Sequence, residues 1–257
     1  MSSEMRELGQ PRIDLSSTSS TMDEIRNRQL VAPEGLTVVA LTQTSGRGRG
    51  DHQWQDVPGN SLLFSTLLRP GVPFDRFQLF PIAAGLAAAE AIDEELAIRV
   101  QLKWPNDLFI ANRKFGGVLV TSRVHAGLVE SAILGIGINL FSIPPNHDVM
   151  ATSLSLHTSR PISRDSLLDS ILKRLGQVYS HVLFEDATEL VARWNDRCLW
   201  RGEIVSVETS SGFQVGRLRG IDESGALKIE QDSGATTAVA LGELTRGVKP
   251  LINAAEM

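Results

Sequence analysis

The stretch GRGRGDHQW (46–54) gathers anion-binding groups in a chain whose formal net charge is −5. Glycines at 46, 48 and 50 carry no Cβ, so backbone N–H groups can approach an anion closely. Arg47 and Arg49 are two residues apart, which in an extended backbone points both to one face. Each guanidinium offers a bidentate fork to a phosphate or carboxylate. Trp54 adds a flat apolar surface for a base to stack on. No Gly-Lys-Ser/Thr follows, so this is not a Walker motif, and the spacing is not that of the dinucleotide fingerprint. A surface loop with two solvated arginines would read the same way. A second stretch, KWPNDLFIANRKFGG (103–117), places Asn106-Asp107 at a strand end, where Asp107 can hold a divalent ion or orient an arginine. Lys114, seven residues on across a hairpin, can face the same cleft, and Gly116-Gly117 let a ligand near the backbone. An Asn-Asp turn beside a surface lysine is the competing reading. In the third stretch, GIGIN (135–139), glycines weaken a strand and pack nothing. They make sense if something planar or bulky presses on the strand, or if a helix packs close to it. Asn139 at its end could read a base edge.

These groups need a scaffold, and the patterning outlines one. SSTSSTM (16–22) supplies small polar caps ahead of a helix predicted to start near Thr21, with Asp23 and Glu24 in its first turn where carboxylates suit the dipole. Buried strands are predicted over 36–43 and 131–139, and another strand over 61–69. Further strands are predicted over 100–104, 108–111 and 114–122. One long helix is expected over 75–97, with Asp75 as N-cap and Pro81 near its first turns. Residues 141–153 read as a loop, Ser163 caps a helix over about 164–184, and another covers about 187–197. From Trp200 the texture changes to short alternating runs (EIVSVET, FQVGRLRGI, ALKIEQ, TTAVAL) between turn residues, the signature of a small antiparallel barrel. The expected domains are therefore 1–199 and 200–257.

Composition excludes several classes. A pI of 5.6 argues against general nucleic-acid binding, which needs a broad basic surface. The single cysteine, Cys198, cannot form an internal disulfide, and with no signal peptide this points to the cytoplasm. Beside Trp194 and Trp200 it reads as packed core rather than a nucleophile. The most apolar stretch, 79–92, contains Pro81 and Glu90 and is too short to span a bilayer, so no membrane association is expected. His125, His147, His157 and His181 lack zinc-ligand spacing, and no nucleophile elbow supports Ser/His/Asp catalysis. His52 reads as an exposed loop residue within reach of a phosphate. Glu94-Glu95 reads as a solvated helix face.

Taken in order, SST (19–21), QTSGRGR (43–49), KWPNDL (103–108), RKFGG (113–117), GIGIN (135–139) and the barrel-like tail resemble the biotin protein ligases, over roughly residues 16–250. The resemblance implies an α/β (α+β) fold, with a class II synthetase-like mixed sheet flanked by helices and a small C-terminal SH3-like barrel. It implies a two-step reaction: biotin and MgATP give biotinyl-5′-AMP, which then acylates a lysine of a biotin carboxyl carrier domain. Carried over by position, Ser20, Thr21, Gln43, Gly46 and Arg47 bind the biotin ring, while Gly117, Gly135 and Gly137 flank it. Lys114 bridges the biotin carboxyl and the α-phosphate. Arg47, Arg49 and His52 meet phosphates, and Trp54 and Asn139 meet the adenine. Asn106 and Asp107 hold Mg²⁺, or Asp107 pairs with Arg49. Asp107 is also an acceptor for the proton of the incoming lysine.

Two departures stand out. The family loop usually reads GRGRRGRxW; here Gly50 replaces an arginine and His52 stands where another often sits. Only about fifteen residues precede the matching region, too few for the winged-helix repressor domain of some members, so no DNA binding is expected, and a monomer or homodimer is. The weighed alternatives are a lipoate–protein ligase or octanoyltransferase of related fold, and a nucleic-acid-binding module using the GRGRG loop.

Overall fold

The structure is a computed structural model that describes residues 6–144, 150–184 and 187–247. His147 lies outside the described residues. The chain opens with β1 (Arg12–Leu15), α1 (Thr21–Arg28) and β2 (Thr37–Ala40), followed by a two-rung hairpin, β3 (Gly46–Arg47) and β4 (Gln53–Trp54). Next come β5 (Ser61–Leu68), β6 (Val72–Pro73), α2 (Phe74–Phe77) and α3 (Phe80–Leu96). Four strands follow: β7 (Gln101–Lys103), β8 (Asp107–Ile110), β9 (Arg113–His125) and β10 (Leu128–Asn139). The central sheet runs β1-β2-β5-β10-β9-β8-β7, with β6 also on β10. It is mixed: β1 and β2 are parallel and the other neighbours antiparallel.

Every residue of β5 is buried, because both faces of the sheet are covered. On one face α1 packs Met22 and Ile25 against Val38, Leu67 and Ile133. On the other, the alanine-rich α3 lies close to the sheet and is backed by α4 (Arg164–Phe184) and α5 (Thr188–Asp196). Ser163 caps α4 as its sequence suggests, its Oγ accepting the Ser166 N–H at 3.3 Å.

The helix expected over 75–97 is instead two helices. The chain breaks at Gln78-Leu79, and Pro81 in the first turn of α3, where no intrahelical N–H bond is needed, fixes the restart. Asp75 is not the cap; its carboxylate takes the N–H of Arg76. No helix among the described residues is long and apolar enough to cross a membrane.

Five antiparallel strands follow, β11 (Ile204–Thr209), β12 (Gly212–Ile221), β13 (Leu227–Glu230), β14 (Thr236–Val239) and β15 (Glu243–Arg246), in the order β14-β13-β12-β11-β15. This unit is bolted to the rest of the molecule. β12 runs past its last rung with β11, Ile204–Arg217, so the Ile221 backbone has an open side, and the Asn195 amide pairs with it, accepting from N–H at 2.7 Å and donating to C=O at 3.1 Å. A Cβ at Gly220 would lie 2.1 Å from that amide oxygen, so the lock requires glycine. Trp104 Nε1 donates to the Gly225 carbonyl at 3.1 Å, and Val205, Leu218 and Leu227 join the apolar core of the α3 layer.

Candidate active site

A transverse row across the sheet sets the floor. Lys103 on β7 pairs with Asp107 on β8, Asp107 with Gly117 on β9, Gly117 with Gly137 on β10, and Gly137 with Leu63 on β5. Directly cross-strand residues share a face, so the row puts two charges beside two bare positions. The next row holds Gly135, opposite Ser65 and Leu119. Above this bald patch lies a cavity of about 250 Å³. The glycines leave room for specific neighbours: a Cβ at Gly135 would stand 2.9 Å from Met22 Sδ, and one at Gly137 2.6 Å from the Trp54 indole. The planar group that presses on GIGIN is thus the chain's own tryptophan.

One end of the cavity is neutral and polar. Parallel bridging brings residues 18–19 beside 42–45, with Thr44 N–H on Thr18 C=O and Ser45 N–H on Ser19 C=O, each at 2.9 Å. This brings Gln43 to the start of α1, where its Oε1 accepts the Thr21 N–H at 2.7 Å and the Thr21 hydroxyl at 3.1 Å. Thr21 Oγ1 also meets Ser65 Oγ at 2.7 Å. Ser20 occupies the N-cap position in extended conformation, but its hydroxyl makes no cap bond. Ser20 Oγ is fully buried without a hydrogen-bond partner inside the protein. Buried hydroxyls rarely go unpaired, and one that lines a cavity is a group aimed at a ligand.

The opposite end is charged. Lys114 Nζ and Asp107 Oδ1 form an ion pair at 2.6 Å, both largely buried. Lys103 lies over the rings of Phe109 and Trp200, 5.9 and 5.6 Å from their centroids. Burial pushes the Lys103 ammonium below the ordinary lysine value; Lys114 and Arg49 add to that, while Asp107 and Glu243 oppose it. Glu243 and Leu244 of the C-terminal unit line this end.

The glycine-arginine stretch closes over the cavity as a hairpin. Gly46 pairs with Trp54 and Arg47 with Gln53, and Gly48 N–H reaches the His52 carbonyl at 2.9 Å. Gly50, the residue that replaces an arginine, sits in the turn at φ 59, a left-handed conformation that costs glycine nothing. His52 Nδ1 lies 3.1 Å from the Arg49 carbonyl and braces the same turn.

Comparison with known proteins fits this geometry. Residues 12–139 match the model of the biotin/lipoate A/B protein ligase family, and residues 202–257 that of the biotin protein ligase C-terminal domain. The bifunctional ligase/repressor BirA of Bacillus subtilis (strain 168) is 34% identical over 224 residues, covering 86% of this chain and 68% of that protein. The chain belongs to the biotin protein ligase family. The biotin–[acetyl-CoA-carboxylase] ligase of Mycobacterium tuberculosis is 30% identical over 218 residues, 82% of this chain and 79% of that protein. A solved biotin protein ligase from Aquifex aeolicus, in complex with biotin and ATP, matches with a TM-score of 0.81 at 29% identity, covering 93% of this chain and 100% of that one. The mixed sheet flanked by helices and the β-rich C-terminal unit are those of the biotin ligase fold.

Against that family pattern, the cavity lining brings together Ser20, Thr21, Gln43, Arg47, Arg49, His52, Trp54, Asn106, Asp107, Lys114, Gly117, Gly135 and Gly137. Gly46 lies just behind it, so close to Trp54 that a Cβ would meet the Trp54 carbonyl at 2.6 Å. Asn139 is not in the lining; it is buried at the end of β10, donating to the Thr152 carbonyl at 3.2 Å. Several partners differ from expectation. Asp107 pairs with Lys114, not Arg49. Arg47 and Arg49 do not act as a twin fork: Arg47 pairs with Asp23 of α1 at 2.9 Å, while Arg49 donates to the Gly242 carbonyl of the C-terminal unit at 2.9 Å. Cys198 is buried, with its thiol pushed up to about 12, in keeping with packed core. Sequence reasoning missed Met22, Asp23, Ser65, Lys103 and Glu243. Lys103 stood inside a quoted motif, but Glu243 carried no signal, since only docking of the C-terminal unit brings it near.

Proposed function

We propose that this biotin protein ligase binds the ureido ring of biotin at the Ser20–Thr21–Gln43 end and runs its chemistry at the Lys114 end. The observation that carries the reading is the polarity of the cavity: a buried unpaired hydroxyl at one end, a cluster of cations at the other, and a glycine floor between them. In the first step a biotin carboxylate oxygen attacks the α-phosphorus of ATP and pyrophosphate leaves, giving biotinyl-5′-AMP. Two anions must meet, which is strongly unfavourable in a dry site without nearby cations. We assign Lys114 to bridge them, with Lys103, Arg47 and Arg49 neutralising the remaining phosphates. In the second step the amine of a carrier-domain lysine attacks the acyl carbon, the bond to phosphate oxygen breaks and AMP departs. Asp107, beside the reacting centre, accepts the proton.

The substrate protein is a biotin carboxyl carrier domain, and the compartment the cytoplasm. Gly46, Gly117, Gly135 and Gly137 flank the biotin; His52 meets a phosphate; Trp54 serves the adenylate side. Among the described residues no group of three or more His, Cys, Asp or Glu could hold a metal by itself. The oxygen donors lining the charged end (Asn106, Asp107 and Glu243) suit Mg²⁺, which takes one or two carboxylates and fills its shell with phosphate oxygens. When bound, the ion would add neutralising charge; Asn106 and Asp107 are assigned to hold it.

ATP–pyrophosphate exchange tests the reading. Exchange should depend on biotin and be absent with lipoate; exchange driven by lipoate alone would replace this function with lipoate ligation.

A further inference from the structure

The Arg49 guanidinium crosses from the loop to the C-terminal unit, where Nη1 donates to the Gly242 carbonyl at 2.9 Å. We propose that the turn joining β14 and β15 is the positioning element for Arg49, holding this arginine over the phosphate end of the cavity. The inference rests on the reading of Arg49 as a phosphate-facing group.

Four points carry it. The carbonyl takes one of the five N–H donors of a guanidinium, so it orients the fork without using it up. The turn itself is fixed: a Cβ at Gly242 would stand 2.6 Å from the Glu208 carbonyl of β11, so the backbone lies against the neighbouring strand. The unit that bears the turn is fixed in its own right, because the Asn195 amide grips the Ile221 backbone. Glu243, next along the chain, lines the same end of the cavity, so the turn is a wall of the site.

The test follows release of biotinyl-AMP from the full-length protein, in a double-mutant cycle. Gly242→Ala pushes the turn off β11 and shifts the carbonyl; release should quicken by roughly two- to tenfold, the scale of one ordinary hydrogen bond at an exposed position. In an Arg49→Gly background the same substitution should change nothing, because coupled positions are not additive. A Gly242→Ala effect that persists unchanged without Arg49, or no effect in its presence, overturns the positioning role. Failure of Arg49→Gly alone to change release sinks the underlying assignment of Arg49 instead. Should Gly242→Ala not fold, Asn195→Ala loosens the same unit from a distance, and the same non-additivity is expected.

Discussion

Lys114 Nζ and Asp107 Oδ1 stand 2.6 Å apart in the charged half of the cavity, with side chains 23% and 16% exposed. Asp107 faces the site by plain alternation, directly opposite Gly117, but Lys114 does not. Gly117 faces the site, so in an uninterrupted strand Phe115 would face it too and Lys114 would point into the core. A β-bulge between the Leu108 and Phe109 rungs leaves Phe115 as the extra residue. Phe115 thereby joins the main core and Lys114 enters the site beside Asp107.

Lys114→Ala removes the cation proposed to bridge the two reacting anions and strands a largely buried carboxylate. We expect biotin-dependent pyrophosphate exchange to fall by about 100-fold or more, with the far-ultraviolet circular dichroism of the folded protein retained. Unchanged exchange in a folded variant would refute the assignment.

Gly137→Ala puts a methyl group 2.6 Å from the Trp54 indole. The tryptophan must shift or the strand must give, at a cost of about 1–3 kcal/mol. Denaturant titration should record that loss, and biotin titration of the same variant should show weakened binding. Gly127→Ala, at a turn where a Cβ would meet nothing within 4 Å, should leave biotin binding alone.

Burial lowers the Lys103 pKa in the folded protein. Between that lowered value and the ordinary lysine value of 10.5, the unfolded chain binds more protons, so stability rises with pH across this window. At lower pH both states are charged and the folded state bears the full desolvation cost. Lys103→Met removes that slope. We expect the variant to match or exceed the parent in thermal stability at neutral pH yet bind ATP more weakly, the trade expected of a cation held for function. A variant that loses stability and keeps ATP affinity would mark Lys103 as structural.

Arg49→Gly should leave biotin and ATP able to react but removes the loop group proposed to face the phosphates. Biotinyl-AMP should escape and label bystander lysines, detectable by mass spectrometry of a mixed protein substrate. Labelling that stays confined to the carrier domain would speak against retention by Arg49.

The sequence by itself determined the chemistry and most of the elements. The order of GRGRG, KWPND, RKFGG and GIGIN fixed the family, because those residues carry ligand chemistry locally. Thr21 as helix start, Ser163 as a cap and the strand β5 were legible from capping and from apolar runs, which are also local. What lay beyond it depends on pairing between distant strands. The helix break before Pro81 was ambiguous, since a proline is as welcome just inside a helix as at its restart. The bulge at Phe115 is a property of the β8–β9 ladder and cannot be seen in either strand alone. The partners of Arg47 and Arg49 were set by which surfaces closed around a long, flexible side chain, Asp23 on one side and Gly242 on the other. Tertiary structure decided those because alternation and spacing specify a face, and only packing specifies what stands opposite it.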